Sequence, residues 1–202
     1  MARKTVKITL YMSELIYDVE NKTYLTGRSR DNGTNYAEVA HMQASDDEEN
    51  GNQILRSIGN AFANLKTKLA EYIDDSETST ANNAQLSADS DLVLALSLPN
   101  NYNQATADNL GTALHQYIVN SAIGDWFTIT NKADAADYIA LAQANLDTAR
   151  EAVSKRSRPS RPAISNETTT TIIGGTLKGV TFPSTTVNGW KDDIANAGSD
   201  SE

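Results

Sequence analysis

The strongest constraint on the fold lies in residues 110–162, LGTALHQYIVNSAIGDWFTITNKADAADYIALAQANLDTAREAVSKRSRPSRP. Apolar side chains return there every three or four positions, in two runs separated by a polar break. The first run places Leu110, Leu114, Tyr117, Ile118, Ser121, Ala122, Trp126 and Ile129 on one broad seam, which predicts a helix over 104–129 with Asn103 or Thr106 as its cap. Thr128-Ile129-Thr130-Asn131 interrupts it, and Asn131 with Asp134 three residues on restarts a helix over 132–157. This one presents Ala135, Tyr138, Ile139, Ala142, Leu146, Ala149 and Val153. So short a connection makes the two helices antiparallel neighbours. Gly111 and Gly124 each cost about 1 kcal/mol against Ala in a helix, and such a residue commonly lets a neighbouring helix come close. Pro159 and Pro162 forbid continuation.

The rest of the chain supplies shorter elements. Residues 4–11 alternate, with Val6, Ile8 and Leu10 on one side, and read as a half-buried strand. Ser13 then opens a helix over about 13–26, with Leu15, Ile16, Val19 and Thr23 on one face and Gly27 as its end. A hairpin around Asn21-Lys22 competes with it. Asp31-Asn32-Gly33 is a turn signal. Ser45 with Glu48 matches a capping box, and Asp46, Asp47 and Glu49 favour the positive end of the helix dipole. The helix they open runs over 46–74, with Ile54, Leu55, Ile58, Ala61, Phe62, Leu65, Leu69, Tyr72 and Ile73 inward. Residues 74–90 form an acidic loop. The run Leu92-Val93-Leu94-Ala95-Leu96-Ser97-Leu98, stopped by Pro99, predicts a buried strand over 91–98 that pairs with residues 4–11. Two strands alone are marginal, so they must lie on the helices or be extended by another chain.

Residues 163–202 differ in kind. They are rich in Thr, Ser, Gly and Asn and carry no apolar period that would build a core. The expected fold is mainly α: a bundle of about four helices with a small two-strand β element in residues 1–162, followed by a long extended C-terminal arm in 163–202.

Composition narrows the function. With 202 residues and a formal net charge of -9, the chain is not primarily a nucleic-acid coat, because phosphate binding needs clustered Lys and Arg. Cysteine is absent, so disulfides and thiolate metal sites are excluded. No run of 18 apolar residues and no signal-peptide pattern occurs, so a soluble protein with no membrane partner is expected. His41 and His115 have no ligand partners at metal spacing, and neither a nucleophile elbow nor a phosphate loop is present. No catalytic residue, metal or cofactor is expected. The acidic run 46–49 reads as dipole compensation and solvated surface, and Trp126-Phe127 as the closure of the core at the helix–helix corner.

Two features point to partners. Arg150, Lys155, Arg156, Arg158 and Arg161 stand against the single acid Glu151 within residues 150–161. They either dock an acidic surface (a partner protein, a neighbouring copy of this chain, or DNA) or complement the helix dipole in solvent. Trp190, between Gly189 and Lys191 in a segment without a core, reads as an anchor for a partner's pocket.

HQYIVNSAIGDWFTITNKADAADYIALAQANLDTAREAVSKRSRPSRP (115–162), YDVENKTYLTGRSR (17–30) and HMQASDDEENGNQILRSI (41–58) resemble stretches of virion structural proteins of gut Bacteroides bacteriophages, especially the crAss-like group. Those proteins look like head–tail connector or tail ring proteins, and the resemblance covers residues 4–162. It implies a subunit of the phage neck or tail, made in the bacterial host's cytoplasm. Its expected partners are further copies of itself in a twelve-fold ring, the portal or neighbouring tail rings, and genomic DNA passing through the lumen without specific binding. The competing readings are a DNA-binding or packaging accessory that uses residues 150–161, and a hydrolase with an unmarked carboxylate pair.

Overall fold

A computed structural model describes residues 3–44, 48–80, 87–159, 176–177 and 180–181, with the backbone alone at 48–49 and at the last four. The chain divides into Met1–Arg158 and Pro159–Glu202. The first unit is mainly helical and is built on α4 (Ala107–Thr130), which is buried on nearly every side: Leu110, Leu114, Ile118, Val119, Ile123 and Phe127 are all at 0% exposure. A helix that is apolar all round is a core helix and not a surface one. It packs most extensively against α5 (Lys132–Ser154), then against α3 (Glu48–Lys68) and α1 (Met12–Ser29). The corner between α4 and α5 is closed by Phe127, whose ring meets Tyr138 edge-on at 5.3 Å.

β1 (Arg3–Leu10) and β2 (Leu92–Pro99) form the expected antiparallel pair, in register from Arg3 opposite Pro99 to Leu10 opposite Leu92. Val6 and Leu10 of β1 and Leu92, Leu94, Leu96 and Leu98 of β2 join the one core. Residues 12–29 are helical, which decides against the hairpin. The helix starts one residue before the expected cap. Met12 is fully buried and its N–H is satisfied from across the fold by Asp91 Oδ1 at 3.3 Å, so Ser13 lies inside the first turn. Nor does the helix stop at Gly27. A β-carbon there would stand 3.1 Å from the Val39 carbonyl oxygen, so this glycine admits the backbone of a fifth helix, α2 (Tyr36–Met42). The bundle therefore has five α-helices among the described residues, one more than expected. Trp126 holds the end of α2 by donating from Nε1 to the Met42 carbonyl at 2.9 Å.

Three other boundaries moved. α3 ends at Lys68 and tightens into a 3-10 turn, Ala70–Tyr72. Ile73 bridges to Leu96, which draws the chain off the helix axis and along β2. α4 begins at Ala107, after the 3-10 turn Gln104–Thr106, in which Asn103 Oδ1 accepts from Ala105 N–H. α5 ends at Ser154, because residues 155–157 turn extended beside residues 101–103. The capping role of Ser45 and the carboxylates of 46–49 lie outside the described residues. In the second unit, Thr176–Leu177 (β3) and Val180–Thr181 (β4) form a short antiparallel pair. The remainder of the expected arm lies outside the described residues. Among the described residues, no helix is long and apolar enough to cross a membrane.

Candidate functional site

The basic exit was the main sequence candidate, and four of its five cations are described. Lys155 Nζ meets Glu151 at 2.6 Å, one helical turn back, and Arg150 stands 3.9 Å from Asp147. Lys155 holds the Glu151 carboxyl below the usual range, first by its hydrogen bond and then by its charge. Arg156 turns back on the helix, donating from Nη1 to the Val153 carbonyl at 2.8 Å, which satisfies an acceptor that the helix end leaves open. The exit is then pinned to the entry of α4. Asn103 N–H donates to the Lys155 carbonyl at 3.2 Å and Ser157 N–H to the Asn101 carbonyl at 2.7 Å. Arg158 is exposed. Three of these cations thus serve the helix end and its acids. Arg161 and Trp190 lie outside the described residues.

Two other surfaces are open. The first is the edge of the small sheet. The outer side of β2 is sealed by residues 73–79, which run beside it using side chains in place of a regular ladder. Asp74 N–H donates to the Ala95 carbonyl at 2.9 Å, and Ala95 N–H donates to Thr78 Oγ1 at 3.1 Å. Ser79 N–H donates to the Val93 carbonyl at 2.8 Å, and Val93 N–H donates to Ser79 Oγ at 2.9 Å. Asp74 itself is tied into a turn by the Ser76 hydroxyl and amide, at 2.6 and 3.2 Å, and these bonds hold its carboxyl below the usual range. The outer side of β1 has no strand on it among the described residues. The strand carries Arg3, Lys4 and Lys7 along its length, and a hollow of about 310 Å³ lies beside Ile8, Thr9 and Leu10 over Gly111 and His115 of α4. His115 Nε2 in turn meets Asp18 Oδ2 at 3.0 Å, a tie between α4 and α1 that agrees with a structural histidine.

The second surface is a groove of about 570 Å³ where α1 and α5 diverge over α4. Its lips carry Leu25 and Leu141, 53% and 51% exposed. Its floor is polar: Lys22 Nζ donates to Gln116 Oε1 at 2.6 Å and lies 3.4 Å from Asn120 Oδ1. One end is closed by Thr26 and Tyr138, whose hydroxyls are 2.8 Å apart. Burial lowers the Lys22 ammonium below the usual lysine range, against an opposing pull from Asp18. Among the described residues, no carboxylate lies within ion-pair distance of it. Sequence reading missed this groove. Lys22 looked like a turn residue of the competing hairpin, and Gln116 and Asn120 fall between the apolar positions of α4, where periodicity is silent.

Beyond the groove, Arg30 at the end of α1 clasps the buried Asp134 of α5 through both carboxylate oxygens. Asn131 stands at the N-cap of α5 with Asp134 as its partner, as expected: its carbonyl accepts from the Asp134 and Ala135 N–H groups at 3.3 Å, and its Nδ2 donates to Asp134 Oδ2 at 2.6 Å. Among the described residues no group of three His, Asp or Glu side chains is placed to hold a metal. No protein-family model, curated protein or solved structure matches the chain.

Proposed function

We propose that the protein is a structural virion subunit of a tailed bacteriophage, a ring-forming component of the head–tail connector or tail, and not an enzyme. Twelve copies assemble head to tail, adapt the portal to the tail, and pass genomic DNA through the lumen without binding it specifically. The resemblance of residues 4–162 to crAss-like virion proteins supplies the direction of this reading.

The observation that carries it is the asymmetry of the sheet. One edge is sealed by the chain's own residues 73–79, and the other, β1, has no strand on it among the described residues and belongs to a strand with three cations on a chain of net charge -9. Native proteins usually blunt or cover such an edge. A head-to-tail ring needs one surface that complements a different surface on the next copy, and a cationic edge on an acidic body meets that need. Acidic residues turned to the lumen would repel DNA phosphates and let the duplex slide.

Electron microscopy of the purified full chain tests the reading. Ring particles with a central opening are expected, and a population of single subunits at every concentration would overturn it. A DNA-binding role would show as duplex affinity falling steeply with added salt. With Arg150, Lys155 and Arg156 occupied locally, weak binding with little dependence on salt is expected.

A further inference from the structure

We propose that the groove between α1, α4 and α5 receives residues 190–194 of a second copy of this chain, with Trp190 seated between Leu25 and Leu141 and Asp192 and Asp193 facing Lys22. The inference rests on the assembly reading above and names a contact within it.

Three observations converge on this occupant. The groove is amphipathic, with two exposed leucines on its lips and an ammonium on its floor that is bonded to two amide oxygens. A lysine has three donors, and this one lacks a contacting counter-charge among the described residues. The fitting ligand is therefore a large apolar group followed closely by a carboxylate. The sequence WKDDI, residues 190–194, provides that order: one aromatic, then two acids two and three residues on. It is also the one stretch of the last forty residues with a tryptophan, and nothing in the sequence around it supplies a core to bury the indole.

The length of chain lets the segment reach a second copy, and the head-to-tail assembly proposed above selects that copy over its own groove. The α5 side of the groove is Tyr138, Leu141 and Asn145, and α5 ends at Ser154. Retracing that helix from its end needs about 25 Å at 1.5 Å per residue, which eight or nine extended residues would span. Because β3 pairs antiparallel with β4, only the 25 residues of 159–189 that lie outside 176–181 add length, and they reach about 80 Å when extended. A 158-residue body has a radius of gyration of about 15 Å, so this tether crosses a whole neighbour with chain to spare. Each copy then carries one donor segment and one acceptor groove. That pair of unlike surfaces links copies head to tail.

A photo-crosslinking amino acid in place of Leu141 in the full chain tests the contact, using an equal mixture of heavy- and light-isotope copies. Cross-linked peptides that carry Trp190 and join heavy to light chains are expected. Products joining only like-labelled chains would mean that each chain binds its own segment, and products without Trp190 would mean another occupant; either result overturns the proposal. The same probe at the exposed Leu25 provides a second position should Leu141 not tolerate it. In the probe-bearing chain, Lys22→Glu is expected to lower the yield at least tenfold, the loss typical of an interface hot spot. Adding Asp192→Lys and Asp193→Lys is expected to restore it, and an unchanged yield in Lys22→Glu would overturn the charge pairing. Ring particles without this cross-link would remove the contact and leave the ring standing. Mixed-label cross-links in open chains of copies would do the reverse.

Discussion

Gly111 and Gly124 stand on the same helix, α4, in different surroundings. A β-carbon at Gly124 would lie 2.9 Å from Ile139 Cγ1, inside contact distance, whereas at Gly111 its nearest neighbour is Ile8 Cγ2 at an ordinary 3.8 Å. Gly124→Ala is therefore expected to destabilise by about 1 kcal/mol, the overpacking cost exceeding the gain in helix propensity. Gly111→Ala meets no such obstacle and is expected to stabilise by about 0.5–1 kcal/mol. Urea denaturation of both variants decides, and equal shifts in the same direction would contradict the account. Lys22 gives a prediction in pH. Burial lowers its folded pKa below the unfolded value, so the folded state releases its proton first and the unfolded state holds more protons between the two. Stability must then rise with pH across that window, up to about pH 10.5. Melting temperatures of wild type and Lys22→Met, compared over that range, should diverge in favour of the wild type. The sequence named both glycines alike, because spacing alone cannot tell which one faces another helix.

At the scale of elements, what repeats was legible and what crosses the fold was not. The strand pair and the helices of residues 46–74, 104–129 and 132–157 follow from apolar periods that hold over several turns, and they appear with shifted ends. α2 has seven residues and buries only Val39, too short a run to show a period. Its place depends on Gly27 and on the Trp126 indole, 87 residues beyond Val39 in sequence. The start of α1 likewise depends on Asp91. The β2 seal was hidden in a stretch that reads as polar loop, because Thr78 and Ser79 act through hydroxyls and not through an apolar pattern. Thr78→Val keeps the shape and removes the acceptor for Ala95 N–H. It should cost about 1–2 kcal/mol, the usual result of leaving such a donor unpaired. Hydrogen exchange should quicken at Ala95 while the amides of α4 stay protected. An unchanged Ala95 amide would mean that the seal does not hold that edge.

For the whole molecule, the candidate surfaces shifted from the basic exit to the open side of β1 and the groove over α4. Residues 150–158 are largely occupied with the end of α5 and its pairing to residues 101–103, so their charge reads first as helix termination. The sheet edge and the groove each expose polar groups or apolar side chains that a second copy can satisfy. Both surfaces therefore point to self-association. Native mass spectrometry of the full chain at physiological salt tests it most directly. Twelve copies of a 21.8 kDa chain give a closed assembly of about 260 kDa, with few intermediates because a closed ring satisfies every subunit. A single species at the mass of one chain, unchanged as concentration is raised, would contradict it.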